Sequence, residues 1–157
     1  MSYKIIAVVG PTAVGKSDVG VRLAQLFDGE IINGDSIQVY RELNIGSAKV
    51  TEEEMDGIVH HMIDVAEPDE DFSVSRYCAM AGPIVDDIIS RGKTAIIAGG
   101  TGLYMDALIK GNTFAPYPST GCRERLEAQA DQMGMEYMQN LLQSIDPEAA
   151  ARIHDRK

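Results

Sequence analysis

The chain has 157 residues, of which 45% are hydrophobic and 24% are charged, and its formal net charge is −10 at pH 7. This composition is that of a globular protein with one substantial core, and no apolar run approaches the ~20 residues that a membrane-spanning helix needs. A charge this negative is unusual for a nucleic-acid-binding protein, so composition alone weakly disfavours an RNA partner.

The start of the chain and its cysteines predict a cytoplasmic protein. Met1-Ser2-Tyr3-Lys4 runs directly into an apolar segment, which leaves no room for a signal peptide. Cys78 and Cys122 have neither metal-like nor redox-like spacing, so we expect two unpaired thiols.

A phosphate-binding loop is predicted directly after the first strand. Residues 5–9 read Ile-Ile-Ala-Val-Val, and residues 10–17 read Gly-Pro-Thr-Ala-Val-Gly-Lys-Ser, which satisfies G-x-x-x-x-G-K-S. Because the loop opens a helix near Lys16, backbone N–H groups and the positive end of the helix dipole converge on one point. The alternative is a glycine-rich turn that merely joins strand to helix. The complete motif in this context favours a site for a di- or triphosphate.

Every residue of this loop is a candidate for binding the phosphates. Lys16 places a positive charge toward them, and Ser17 offers a hydroxyl to a Mg²⁺ ion. The predicted set is Gly10, Pro11, Thr12, Ala13, Val14, Gly15, Lys16 and Ser17.

Strands and helices alternate through the first 111 residues. The patterns predict strands at 5–9, 30–33, 60–65 and 94–98, and helices at 18–27, 73–91 and 103–109. Apolar strands separated by helices indicate a mostly parallel sheet covered on both faces. We therefore predict a three-layer α/β fold of the P-loop NTPase type, with a sheet that is incomplete within this chain.

Two of these helices carry more detailed expectations. Val19, Leu23 and Leu26 are spaced as the buried stripe of the first helix, which Gly29 is expected to end. Pro83 is expected to kink or interrupt the helix at 73–91, because its ring clashes with the carbonyl four residues earlier.

Beyond residue 111 the pattern becomes helical. Residues 112–121 read as a linker, and helices are predicted at 122–132, at 135–144 and after the capping pair Asp146-Pro147. The core of this segment is expected to contain Met133, Met135 and Met138. We assign residues 1–111 to a phosphate-loop core and 112–157 to a helical insertion segment.

Two residues at the carboxyl ends of strands are candidates for chemistry, since open α/β sheets keep their sites there. Asp35 directly follows the strand at 30–33, so its carboxylate is predicted to face the phosphates as a general base or substrate-orienting acceptor. The alternative is an Asx-type turn that caps the next residues. Thr101 lies at a strand-to-helix junction, where helix capping explains a threonine equally well.

Other polar residues are weaker candidates. His60 and His61 are adjacent, and successive strand residues face opposite ways, so they cannot both bind one metal ion. Arg123 and Arg125 either grip a phosphate or form a solvated helix face beside neighbouring glutamates, and the solvated face is favoured.

Four segments occur in order along the chain. They are residues 10–17, then Gly-Asp-Ser-Ile-Gln-Val-Tyr-Arg at 34–41 with Asn-Ile-Gly-Ser-Ala-Lys at 44–49, then His-His-Met-Ile-Asp at 60–64, and Gly-Gly-Thr-Gly-Leu-Tyr at 99–104. Together they resemble the tRNA dimethylallyltransferase family over residues 5–111, and more loosely to residue 154. The second and fourth segments are specific to that family, whereas the phosphate loop alone occurs in a vast class.

The resemblance implies an activity and a set of roles. Such enzymes transfer the dimethylallyl group from dimethylallyl diphosphate to N6 of the adenosine 3′-adjacent to the anticodon of tRNA. The loop at 10–17 would hold the diphosphate with Mg²⁺ on Ser17, and Asp35 would accept a proton from the amine. The implied catalytic residues are Asp35 and Thr101, and the implied tRNA contacts are Asp35, Ser36, Ile37, Gln38, Thr101 and Arg123.

The resemblance also leaves alternatives open. Family members are considerably longer, so this chain resembles their N-terminal half and its activity by itself is an open question. A complete member is expected to be monomeric. The main alternative is a P-loop small-molecule or nucleoside kinase, in which ATP occupies the loop and Asp35 activates a hydroxyl. A non-catalytic fragment that binds a diphosphate is the third interpretation.

Overall fold

The computed structural model describes residues 5–111 and 121–153. The chain forms two compact units, Met1–Phe114 and Ala115–Lys157. The elements in chain order are β1 (Ile5–Val9), α1 (Lys16–Phe27), β2 (Gly29–Asn33), α2 (Glu52–Met55), β3 (His60–His61), α3 (Val74–Ser90), β4 (Thr94–Gly99), α4 (Gly102–Ile109), α5 (Cys122–Ile145) and α6 (Pro147–Arg152). Among the described helices, none has the length and hydropathy that crossing a membrane requires.

The four strands form one parallel sheet in the order β1-β4-β2-β3. Ile96 of the central strand β4 is paired with Ile6 on one side and with Ile31 on the other. Parallel strands bring their carboxyl ends to the same edge, so the segments after Val9, Asn33 and Gly99 meet there. The predicted α/β architecture is confirmed.

Helices cover both faces of the sheet, which makes the three predicted layers. On one face, α3 and α4 pack over the sheet around a core of Ile32, Val39, Met62, Tyr77, Ala81, Val85, Ile88, Ala95 and Tyr104. On the other face, α1 packs through Val21 and Ala24 against Ile31 and Ile96. Strand residues alternate between these two cores, as the two-residue period of a strand requires.

Helix α1 buries a face that overlaps the predicted stripe only in part, at the half-buried Leu23. Gly20, Val21 and Ala24 are buried, whereas Val19 and Leu26 are exposed. A Cβ at Gly20 would lie 3.5 Å from Ile31 Cδ1 and 3.6 Å from the Ala98 Cβ. The helix therefore meets the sheet through Gly20, Val21 and Ala24, with Leu23 half-buried beside them, while Val19 and Leu26 face away.

Three predicted boundaries also differ from the structure. Helix α1 is capped at its C-terminus by Asp28, which has a left-handed conformation. Gly29, the expected end of the helix, is instead the first residue of β2, where an added Cβ would approach Thr94 O to 2.8 Å. Helix α3 continues through Pro83 with buried residues on both sides of it, so the expected interruption is wrong. Strand β3 is short because the next residue, Met62, has a positive φ of 64°.

The second unit contains the predicted helices. Gly134 has non-helical angles (φ 80°, ψ 169°) and divides α5 near the predicted break, and Asp146 caps α6 by accepting from Ala149 N at 2.9 Å. Met133 and Met135 are exposed, so their expected role in a core is wrong in the described part of this unit. Most of the predicted linker, residues 112–120, lies outside the described residues.

A buried carboxylate joins three elements at the end of the sheet where β2 and β4 begin. Glu30, whose side chain is 5% exposed, receives two hydrogen bonds from Arg91 at 2.5 and 2.8 Å. His61 Nε2 lies 2.9 Å and Lys93 Nζ 3.2 Å from its oxygens. The hydrogen bonds from Arg91 hold the pKa of Glu30 well below its usual range.

We expect Glu30→Gln to lower the free energy of unfolding by about 2 kcal/mol at pH 7, because it weakens charged hydrogen bonds at a buried position. The pKa of Glu30 in the folded state lies below its ordinary value of 4.5. The stabilisation is therefore complete above about pH 4.5 and is lost as the pH falls toward the folded-state pKa. Urea unfolding of both proteins at pH 7 and pH 3.5 checks this. A difference that grows on acidification would contradict it.

Candidate functional site

The loop after β1 is shaped to receive an anion. Gly15 has a left-handed conformation (φ 81°) at the start of α1, and in the described part of the chain no side chain caps this helix end. Lys16 Nζ donates to Pro11 O at 2.7 Å, which holds the ammonium group over the loop. Free N–H groups at the first turn, together with the helix dipole and the lysine, form a site for phosphate oxygens.

The segment after β2 carries Asp35 into the same region. Asp35 Oδ1 accepts from Ile37 N at 2.8 Å and weakly from Gln38 N at 3.4 Å, which is the predicted Asx-type turn. Within residues 5–111 and 121–153, no group donates to the other oxygen, Oδ2. The predicted turn and the predicted chemical role of Asp35 are therefore compatible, because Oδ1 fixes the loop and Oδ2 stays available.

Thr101 connects the loop after β4 to the loop after β2. Its Oγ1 accepts from Ser36 N at 2.8 Å and donates to Ser36 Oγ at 3.1 Å, while Thr101 N donates to Gly34 O at 3.0 Å. Although Thr101 occupies the N-cap position of α4, its side chain makes no capping hydrogen bond within the described residues. The capping alternative is therefore wrong, and the hydroxyl instead joins two loops that are far apart in sequence.

Gln38 holds a third loop over the site. Its Nε2 donates to Ser47 O at 3.1 Å and to Ala48 O at 3.2 Å. The nearly buried Lys49 ammonium, next in the chain, donates to Tyr40 O at 2.7 Å and to Asp64 at 2.5 Å. The last three residues of segment 44–49, which the sequence singled out, are thus held by hydrogen bonds.

These loops enclose one cavity of about 240 Å³. The predicted residues that line it are Thr12, Ala13, Gly15, Lys16, Ser17, Asp35 and Gln38. Ser47, Ala48, Gly99 and Gly100, from two of the segments that carry the resemblance, line it as well. The lining residues that the sequence did not single out are Asp18, Asn33, Val50, Glu54 and Ala98. The lysine-bearing loop and the aspartate therefore share one cavity.

The charges around this cavity are unbalanced. Lys16 is the positive side chain among the lining residues, against the carboxylates of Asp18, Asp35 and Glu54. A diphosphate would add further negative charge, so its binding calls for an additional cation. A serine hydroxyl is an oxygen donor of the kind that Mg²⁺ prefers, so the presence of Ser17 in the lining is consistent with the predicted ion.

The remaining predicted residues lie elsewhere. Gly10, Pro11 and Val14 belong to the phosphate loop, and Ser36, Ile37 and Thr101 lie in the adjoining loops, but none is among the described residues that line the cavity. In the second unit, Arg123 is 87% exposed at its side chain and pairs with Glu127 at 2.9 Å.

His60 and His61 have separate partners. His61 Nε2 contacts Glu30, and His60 Nδ1 lies 2.9 Å from Ile58 O. Burial holds the pKa of His60 below its ordinary value. Among the described residues, no three histidine, cysteine, aspartate or glutamate side chains cluster as metal ligands.

Two glycines let the loops after β2 and β4 touch. A Cβ built on Gly99 would overlap the carbonyl of Gly34 and approach its Cα to 2.5 Å. Gly34 N also donates to Ala98 O at 2.8 Å. Because backbone contacts backbone here, no side-chain rearrangement can relieve the clash that a larger residue at position 99 would cause.

We expect Gly99→Ala to lower the free energy of unfolding by about 3 kcal/mol, because the backbones must separate. The matched control is Gly102→Ala at the start of α4, where no described atom lies within 4 Å of the added Cβ and the change should be neutral or slightly stabilising. Urea unfolding of both variants measures the difference. Equal stabilities would contradict the close approach.

Comparison with known proteins adds independent evidence. A family model described as IPP transferase matches residues 38–157. A tRNA dimethylallyltransferase from a strain of Exiguobacterium is 49% identical over 151 residues, which cover 96% of this chain and 49% of that protein. Another from a strain of Thermoanaerobacter is 47% identical over 155 residues, covering 98% and 49%. The chain thus spans about half the length of the curated relatives it matches.

Solved structures give the same result. The full-length tRNA isopentenylpyrophosphate transferase of Bacillus halodurans aligns with a TM-score of 0.70 and 45% identity, covering 98% of this chain and 51% of that one. A eukaryotic dimethylallyltransferase captured acting on tRNA aligns with a TM-score of 0.85 and 32% identity, covering 98% and 38%.

Proposed function

Because this chain belongs to the IPP transferase family, we propose that it forms the donor-binding and catalytic part of a tRNA dimethylallyltransferase. The reaction is transfer of the dimethylallyl group from dimethylallyl diphosphate to N6 of the adenosine 3′-adjacent to the anticodon. The observation that carries the proposal is the cavity of about 240 Å³ that Lys16, Ser17 and Asp35 line together. Relatives with 49% and 47% identity that are named for this activity support it.

The phosphate loop would bind the diphosphate of the donor. As the bond between the allylic carbon and the diphosphate oxygen breaks, negative charge grows on the departing group. The N–H groups at the start of α1 and the Lys16 ammonium stabilise that charge without reorganising. Residues Gly10 to Ser17 thus hold a prenyl diphosphate through the contacts that P-loop proteins use for a nucleotide.

Asp35 would accept the proton that the amine loses. Nitrogen N6 forms a bond to the allylic carbon, diphosphate leaves with the bonding electrons, and a proton passes from N6 to the Asp35 carboxylate. The oxygen Oδ2 is free of hydrogen bonds from the described residues, and Oδ1 keeps the loop in place. The exocyclic amine is a poor nucleophile, so removal of its proton as the bond forms lowers the barrier.

Mg²⁺ is the proposed cofactor, held by Ser17, with the carboxylate of Asp18 lining the same cavity. When bound, it would neutralise charge on the diphosphate oxygens.

The proposed partner is tRNA. We assign contacts with the target base and its neighbours to residues 35–38 and Thr101, and an outer contact to Arg123 in the helical insertion at 112–157. The base must leave its stack to reach the cavity, as in other enzymes that modify bases. The structure of a eukaryotic relative acting on tRNA supports this partner.

Calorimetry and a transfer assay test the proposal together. With Mg²⁺ present, the chain should bind dimethylallyl diphosphate more tightly than ATP, and labelled prenyl groups should pass to unmodified tRNA. A tRNA whose target adenosine is replaced by guanosine is the control and should stay unlabelled. If the chain binds ATP more tightly and transfers no prenyl group, the result would favour a kinase. If it binds the diphosphate but transfers no prenyl group, the result would favour a non-catalytic module.

A further inference from the structure

Asn33, the last residue of β2, makes an unusual set of contacts with Asp35. Its side chain lies next to the cavity, and the residue is 5% exposed. Asn33 Oδ1 accepts from Asp35 N at 3.2 Å, and Nδ2 donates to Asp35 O at 3.3 Å. One amide group therefore binds the backbone of Asp35 on both sides.

The amide is itself anchored in the core. Nδ2 also donates to Met62 O at 3.0 Å, directly after β3, and the backbone oxygen of Asn33 accepts from the Tyr77 hydroxyl at 2.9 Å. Burial raises the pKa of Tyr77, so that hydroxyl keeps its proton. The Tyr77 ring stacks on Tyr104 with centroids 4.3 Å apart. Asn33 thus connects a rigid part of the core to the backbone of Asp35.

We propose that Asn33 is a positioning residue, whose side-chain amide fixes the Asp35 backbone and so directs the free oxygen Oδ2 into the cavity. Without it, the backbone on both sides of Asp35 would lose partners that only this side chain supplies among the described residues. The inference rests on the proposed function in one respect, namely that the Asp35 carboxylate accepts a proton. The structural part of the proposal, that Asn33 fixes the backbone of Asp35, can be tested without an activity assay.

The test compares Asn33→Ala and Asn33→Ser with a matched control, Thr94→Val. Thr94 is 7% exposed and lies at the opposite end of the sheet, where its hydroxyl donates to Phe27 O at 3.0 Å. All three variants lose buried hydrogen bonds, but Thr94→Val leaves Asp35 untouched. A serine at position 33 can still accept from Asp35 N, whereas an alanine cannot.

Hydrogen exchange of the Asp35 amide, followed by NMR, is the first readout. Asn33→Ala should exchange this amide about tenfold faster than Thr94→Val after correction for global stability, as loss of one such hydrogen bond implies. Asn33→Ser should fall between them. Equal protection of the Asp35 amide in Asn33→Ala and Thr94→Val would overturn the proposal.

Steady-state prenyl transfer is the second readout. Asn33→Ala should lower kcat about tenfold while KM for the diphosphate donor stays within about twofold, since the phosphate loop is unchanged. If Asn33 has only a structural role, Asn33→Ala should lower kcat no more than Thr94→Val does when the two variants are compared at equal folded fraction. That result would overturn the proposal. If neither this chain nor a version completed to the length of its relatives transfers a prenyl group, the proposed function fails, and exchange at Asp35 still decides whether Asn33 fixes the Asp35 backbone. If Asn33→Ala does not fold, Asn33→Ser and Asn33→Asp take its place.

Discussion

Lys16→Ala should weaken the binding of dimethylallyl diphosphate about 100-fold, with little effect on the free energy of unfolding. The side chain supplies the positive charge among the residues that line the cavity, whereas three carboxylates line it as well. A charged hydrogen bond to an anion in a partly enclosed site accounts for a loss of this size. Titration calorimetry with Mg²⁺ present measures it directly.

The control for this change is Lys110→Ala. Lys110 is an exposed lysine at the end of α4, where it pairs with Asp106 at 2.9 Å, and its removal should leave donor affinity unchanged. Lys16→Arg should be intermediate, because the charge remains but the shape of the donor group changes. Wild-type affinity in Lys16→Ala would show that the diphosphate binds elsewhere.

Asp35→Asn should lower the rate of prenyl transfer about 1000-fold while donor affinity changes by less than about threefold. Loss of a general base typically costs a factor of this order. The amide keeps an oxygen that can accept from Ile37 N, as Oδ1 does now at 2.8 Å, so the loop should keep its shape. Single-turnover transfer from labelled donor to tRNA separates this chemical effect from binding.

The matched control is Asp86→Asn, since Asp86 is an exposed aspartate on α3. This variant should transfer at the wild-type rate. If Asp35→Asn transfers within about twofold of the wild type, another group must accept the proton, and the role proposed for Asn33 in catalysis would fail with it.

The parts of the site that follow from local pattern were predictable. Residues 10–15 form the loop between β1 and α1, because glycines permit its turns and the apolar run before it forms a strand. The position of Asp35 followed from one rule, that parallel strands end at the same edge of the sheet. Both features depend on a few consecutive residues and one general property of α/β folds.

Other parts depend on partners that are distant in sequence. Thr101 and Ser36 are 65 residues apart, so their hydrogen bond could not be read from either segment alone. The buried face of α1 was mispredicted in part, because contact with Ile31 and Ile96 of the sheet buries Val21 and Ala24 and leaves Val19 and Leu26 exposed. Asn33 resembled an ordinary strand residue, and its hydrogen bonds to Met62 O through the side-chain amide and from Tyr77 to the backbone oxygen are visible only in the structure.

By itself, the sequence determined that a strand, a phosphate loop and a helix follow one another, and that an acidic residue lies in the loop after the second strand. Tertiary structure decided how that acid is held, which of its oxygens is free, and which loops cover the cavity. The physical reason is range: backbone preferences act between neighbours, whereas a buried side chain is oriented by hydrogen bonds and close contacts with segments far along the chain.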